Sequence, residues 1–261
     1  MESRVSVPPA EPGLPPNEHT GAGPFTVGAP DPAVVDLAEL DDPRTLQILS
    51  TEHWSLLAGR SLTWNESFSR SSMFLSALSG SVVALALVAQ ASTFGEAFEV
   101  FAIVLLPVVY FLGFGTYVRL VQANLEDARW VSGMNRLRHA YLELAPELEE
   151  YFITGSHDDA IGLVTTAASA GRHAAAGGGL GTILHGLVTT PVTIAVIDSV
   201  VGAVLVAMIG ARIGSGMAPA VGLGGLAFAA TFVSMASYYV RSYRAYVAAN
   251  PPRYPTPPEN T

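Results

Sequence analysis

Four stretches of this chain are apolar for long enough to cross a membrane: 72–92, 98–118, 191–212 and 218–240. A helix of about 20 residues spans the roughly 30 Å hydrocarbon core of a bilayer. The pattern predicts two transmembrane hairpins, each closed by a short link, TFGEA in the first and IGSGMA in the second. Pro107 lies inside the second run and predicts a kink there.

Outside the runs the pattern changes to the spacing of amphipathic helices. Between Asp41 and Phe68 the residues Leu46, Leu49, His53, Leu57, Trp64 and Phe68 make one stripe, broken at Arg60. Gln47, Ser50, Glu52, Ser55, Arg60 and Glu66 make the opposite, polar face. Asp42 before Pro43 supplies a start signal, a capping side chain followed by proline. After the second run Val121, Leu125, Ala128, Val131, Met134, Leu137, Tyr141 and Leu144 step by threes and fours, and Pro146 stops the helix. The two stripes leave adjacent spans on the same side. They predict an antiparallel stalk in which residues 119–145 shield Trp54 or Trp64.

The resulting fold class is all-α, four transmembrane helices with amphipathic cytoplasmic helical extensions. Its segments are a disordered Pro-rich tail (1–40), a cytoplasmic amphipathic helix (41–71) and a first transmembrane hairpin (72–118). A cytoplasmic helix with a Gly/Ala-rich linker (119–190), a second hairpin (191–240) and a cytoplasmic tail (241–261) follow. Within the linker, Gly177–Gly179 reads as a flexible joint and Thr182–Thr190 as a short interfacial helix. Past Asn250 the expectation is disorder.

Composition sharpens the membrane reading. Only 13% of the residues are charged, against about a quarter in an ordinary soluble domain. The deficit is concentrated in the four runs. No cysteine is present, which removes disulfides, thiolate catalysis and cysteine-ligated metals. The amino terminus lacks a basic region followed by an apolar core, so the first run is expected to act as the insertion signal. The net charge of −9 is less informative than the placement of the 13 basic residues, all arginine. Twelve precede the first span, lie between spans two and three, or follow the fourth; Arg212 stands alone on the other side. The positive-inside rule then puts both termini in the cytoplasm of a cell whose inner (plasma) membrane holds the protein.

Packing and chemistry rest on few residues. Ala195, Ser199, Ala203, Ala207 and Ala211 place a small side chain every four positions in the third span, beside a second row of Asp198, Gly202, Gly210 and Gly214. The first span offers Ser76, Gly80 and Ala84, and the fourth Gly222, Ala230 and Ser234. Asp198 is the one carboxylate inside the third span, which makes it a possible ion or proton site, with Ser76, Ser79, Tyr110 and Ser234 as candidate partners. Buried without a cation, it is expected to hold its proton and glue helices unless it works as a site. Arg212, Glu96 and Glu99 are a possible outer-face ion pair. His157, Asp158 and Asp159 are metal-ligand types, but adjacent loop residues seldom converge on one ion. Gly222 to Ala227 matches a dinucleotide-binding pattern inside an apolar run, where the strand–turn–helix context fails. No catalytic, cofactor or metal residue is expected, and no nucleic-acid partner.

The runs TEHWSLLAGRSLTWNESFSRSSMFLSALSGSVVALALVAQ and RLVQANLEDARWVSGMNRLRHAYLELAPELEEYF resemble a group of actinobacterial four-span integral membrane proteins, over roughly residues 45–155. That resemblance implies a multi-pass protein and brings no established activity. In layout alone the chain is also similar to two-span effectors of bacterial defence systems. Two functions stay open. One is a non-enzymatic membrane protein with a structural or interaction role through its cytoplasmic helices, embedded in the lipid bilayer, with a homo-oligomer as one candidate assembly and no protein partner named. The alternative is a small oligomeric channel or transporter using Asp198.

Overall fold

A computed structural model describes residues 43–168 and 190–258. The Asp42 cap, the Pro-rich tail, the 177–179 glycines and the Thr182–Thr190 helix, up to its last residue, lie outside the described residues. Five α-helices are described: α1 (Pro43–Ser92), α2 (Glu96–Leu144), α3 (Ala160–Ala168), α4 (Thr190–Arg212) and α5 (Met217–Ala249). A 3-10 turn, Pro146–Tyr151, follows α2. Among the described residues there is no strand. Four helices, α1, α2, α4 and α5, are long and apolar enough to cross a membrane.

The two longest helices run unbroken through the boundary between apolar and charged sequence. Helix α1 has 50 residues and α2 has 49, about 75 Å each. Only about 30 Å of that length can lie in hydrocarbon. The rest continues as a paired extension, called the stalk below. In the apolar half the outward surface carries Val82, Leu87, Phe111, Leu226 and Val233, all exposed. Water would not tolerate so continuous an apolar surface, whereas lipid does.

Charged side chains mark both ends of the apolar half. At one end Arg119 donates Nε and Nη2 to the two oxygens of Glu66, at 2.9 and 2.7 Å, and Nη1 to Glu126 at 2.8 Å. Arg70 donates to the same Glu66. At the other end Arg212 Nη1 donates to Glu99 at 2.7 Å, and its Nη2 stands 3.6 Å from Glu96. Glu99 and Arg119 are 20 residues apart on α2, about 30 Å of helix, which matches the hydrocarbon thickness.

The stalk is antiparallel, yet its seam is not the stripe that the sequence suggests. His53 stacks on Tyr141, Leu56 packs on Gly133, Gly59 lies under the Trp130 ring, and Trp130 Nε1 donates to Thr63 at 3.1 Å. Arg60 donates Nε to Asp127 at 2.7 Å across the same seam. Arg60 and Glu66, read as solvent-facing, therefore point at α2. Leu46, Leu57, Trp64 and Phe68, read as the buried stripe, are exposed instead. Trp54 and Trp64 are 69% and 55% exposed, so the expected shielding fails. The cause is the flush match of small groups on one helix to rings on the other: Gly59 and Thr63 admit Trp130, and Gly133 admits Leu56. That seam lies nearly a quarter turn from the apolar one.

Helix α4 is the most enclosed span, lying against α2 on one side and α5 on the other. Gly202 takes the Tyr110 ring, whose edge would stand 2.9 Å from a methyl placed there. Gly224 of α5 meets the Ala203 carbonyl at 2.9 Å by the same measure. Gly80, placed in a contact row by sequence, meets nothing. Past the apolar run α5 continues to Ala249, ending at Asn250 before the two prolines, and Arg129 of α2 lies 5.8 Å over the Tyr246 ring.

The Arg119 and Arg70 bonds pull the Glu66 carboxyl down to about 2, from an ordinary value of about 4.3. A depressed carboxylate stabilises the folded state above the ordinary value and loses that contribution as pH falls toward the folded one. Helix pairing should therefore weaken between about pH 4.3 and pH 2. Glu66→Gln should flatten that part of a pH–stability curve while costing under about 1 kcal/mol at neutral pH, because the pair is partly solvated. An unchanged acid limb in the variant would remove Glu66 from the seam.

Candidate functional site

Asp198 sits on α4 eight residues past Thr190, facing α1 and α2, with no exposed surface. Its neighbours are hydrocarbon. A methyl at Gly113 would overlap Asp198 Oδ1, would stand 2.6 Å from its Cγ, and would touch the Phe74 ring at 2.8 Å. Gly113 is thus the seat that lets the carboxyl fit between helices. Neither carboxyl oxygen has a hydrogen-bond partner among the described residues.

The four candidate partners do not reach it. Ser76, Ser79 and Ser234 lie on exposed faces of their helices. Tyr110 shares a 3.2 Å hydrogen bond with Thr231. Nearby Ser199 donates to the Ala195 carbonyl at 2.7 Å, and Tyr117 donates to the Met235 carbonyl at 2.7 Å. Each hydroxyl is committed to its own partner. A hydrogen-bonded carboxyl gluing helices is therefore not what the structure holds; the contact is one of shape.

A second cluster lies beyond the stalk's membrane end and was hidden from sequence reasoning. Asn135, fully buried on α2, uses its whole amide: Nδ2 donates to the carbonyls of His157 and Gly162 at 2.7 and 3.2 Å. Its Oδ1 accepts from Arg138 at 2.8 Å and from Thr166 at 3.0 Å. This one side chain docks α3 and the loop before it onto α2. Gly162 has no room for a side chain, since a Cβ there would overlap the His157 carbonyl.

Asp158 and Asp159 serve the chain's own tail. Asp158 accepts the backbone N–H groups of Arg253 and Tyr254 at 3.0 and 2.8 Å, plus Arg136 Nε at 2.6 Å. Asp159 accepts the N–H and hydroxyl of Thr256, both at 2.9 Å, and the N–H of Gly162. Tyr254 stacks on His139 at 4.1 Å. Residues 253–256 are accordingly held, which corrects the expectation of disorder past Asn250. Burial by itself would raise the Asp158 carboxyl, but the N–H bonds of Arg253 and Tyr254 and the Arg136 guanidinium outweigh it and hold the group below its ordinary value. Asp159 is lowered in the same way, by Gly162 and Thr256 against its own burial. Sequence offered one weak signal, two adjacent carboxylates, and nothing that pointed to residues a hundred positions later.

Among the described residues no three His, Cys, Asp or Glu side chains gather as metal ligands. Arg212, Glu96 and Glu99 meet at the bundle end as described above. No protein-family model matches the chain, and no curated protein or solved structure is found to be similar to it.

Two outcomes are expected. Gly113→Ala should lower stability by about 1–3 kcal/mol through overpacking, and Asp198→Ala in the same chain should restore most of the loss. Thermal melts in detergent would read this, and independent effects would show that the two residues do not meet. Asp158→Ala should speed hydrogen exchange at the Arg253 and Tyr254 amides while leaving the spans protected; unchanged exchange would mean that the tail is held by other contacts.

Proposed function

We propose that this is a four-span plasma-membrane protein with both termini cytoplasmic, without a catalytic site, that works by assembly through its stalk. One observation carries the reading. On α1 the residues Trp54, Leu57, Ser61, Trp64 and Phe68 are all exposed, at steps of three, four, three and four, on a flank about a quarter turn from the α2 seam, where Trp64 also donates Nε1 to Asp127 at 2.9 Å. That alternation is the spacing of a helix-pairing seam. Much of the row lies beyond the reach of acyl chains, so lipid does not cover it. The occupant that fits is a second copy of the chain. All copies in one membrane share an orientation, so identical rows meet at the same height. The placement of twelve arginines on one side supports the orientation.

The reading is tested by particle mass. The detergent-solubilised protein should exceed one chain of 27.3 kDa, and Leu57→Arg with Phe68→Arg should reduce it to one chain without unfolding it. A wild-type particle of a single chain sinks the proposal. Reporter fusions at Gly95 and Ser215 should read external and one after Glu150 cytoplasmic; an external signal after Glu150 would overturn the topology.

A second reading, a small oligomeric channel or transporter, is favoured by the bare carboxyl of Asp198 in the middle of the bundle. Intramembrane carboxylates are costly and tend to be functional.

A further inference from the structure

Away from the ends of the four apolar runs, where Glu99 and Arg212 lie, Asp198 is the one Asp, Glu, His or Arg. Both of its oxygens are shut off from the surface and have no hydrogen-bond partner among the described residues. The surroundings decide what can occupy such a group. An ionised carboxylate in hydrocarbon, with no cation and no hydrogen-bond donor, is strongly disfavoured. A metal cation held by oxygen needs about six or more donors. The hydroxyls nearby are turned to other groups, Ser199 to Ala195, Tyr110 to Thr231 and Tyr117 to Met235, and among the described residues none reaches the carboxyl. On the facing sides stand the Phe74 ring and the bare backbone of Gly113, so no shell of oxygens can form. A proton needs one oxygen, no further ligand and no added volume.

We infer that Asp198 is a proton-binding site, selective for the proton over metal cations, and that releasing the proton requires α4 to part from α2 at Gly113. The inference deepens the channel or transporter reading by naming its ion, and it rests on Asp198 being a working group. The parting has a natural place. Along the α2–α4 seam the contacts at Gly113 and Gly202 set backbone against side chain, and the Arg212–Glu99 bond joins the two helices at the far end. The charged groups nearest along these helices lie at the two ends of the apolar half: Glu66, Arg70, Arg119 and Glu126 at one, Arg212, Glu96 and Glu99 at the other. Those are paired with one another. The phenols of Tyr110 and Tyr117 complete the titratable groups in the apolar half of the facing helix, and both are hydrogen-bonded. Loss of the Asp198 proton therefore leaves an anion that no neighbour compensates, and water entering a parted seam is what can stabilise it.

The test uses the full chain in lipid nanodiscs. Infrared spectra should contain the carbonyl stretch of a protonated carboxylic acid that Asp198→Asn and Asp198→Val both lack. Raising the pH should remove the band reversibly, and a cysteine placed at Ala195 should become reactive to a small water-soluble reagent over the same pH range. Sodium, potassium or calcium added at fixed pH should leave the band unchanged. Absence of the band in wild type at neutral pH overturns the inference, as does its loss on adding a metal cation, or removal by alkali without any gain in cysteine reactivity. Proton leak from acid-loaded liposomes then distinguishes the two claims. A band with faster leak than Asp198→Asn supports both. A band with equal leak keeps the proton site and removes the transport reading. Should Asp198→Asn fail to fold, Asp198→Val, which buries no polar group, carries the comparison.

Discussion

Helices in hydrocarbon gain little from hiding apolar side chains from one another, because lipid is just as apolar, so close backbone packing has to hold them. In the apolar half of this bundle the filled glycine positions, Gly113, Gly202, Gly210 and Gly224, all lie on α4 or against it. Helix α4 is thereby the member on which the other spans are assembled. It meets the α1–α2 pair through Gly113 and Tyr110, and α5 through Gly224 and Ala220. The carboxyl of Asp198 occupies the space that Gly113 leaves free. Close approach and the buried acid are two aspects of one fit, and neither side can be enlarged alone.

Outside the apolar half the structure depends on the opposite physics. Water is present there, and specific polar bonds fix geometry while adding modest energy. Arg119 grips Glu66 with two nitrogens and Arg60 grips Asp127, which sets the register of α1 on α2. Asn135 then holds α3, and Asp158 with Asp159 holds the carboxyl-terminal strand of chain. These bonds link segments far apart in sequence into one connected unit at the membrane's edge.

The apolar helices were legible because their length and composition answer to a single requirement, the bilayer's thickness. The continuation of α2 past Arg119 was legible too, since its apolar period never breaks. The face of α1 was not. Periodicity finds where apolar residues lie, but Trp54, Leu57 and Phe68 are exposed, while a seam of Gly59, Arg60, Thr63 and Glu66 faces α2. Small and charged residues carry no hydrophobic period, so a seam built from them leaves no trace in the pattern. The same holds for Asp198: its position was evident as a lone carboxylate, but its lack of a partner depends on where Ser76, Tyr110 and Ser234 turn. Asn135 and the pinned tail depend on contacts between distant residues, which one sequence does not encode in any local signal.

The unbroken passage of α1 and α2 from span to stalk makes each of them a lever. No loop or glycine hinge separates the part held in lipid from the part outside it, and Pro107 lies within the apolar half, not at the boundary. Spans tilt when the thickness of the surrounding bilayer changes. For an arm reaching about 40 Å beyond the hydrocarbon, a tilt change of about 10° moves the far end by about 7 Å. That is more than one turn of helix. A thinner or thicker membrane would thus be felt at Pro43 and Leu144, the far ends of the two arms, as a displacement large enough to shift one row of side chains past its neighbour.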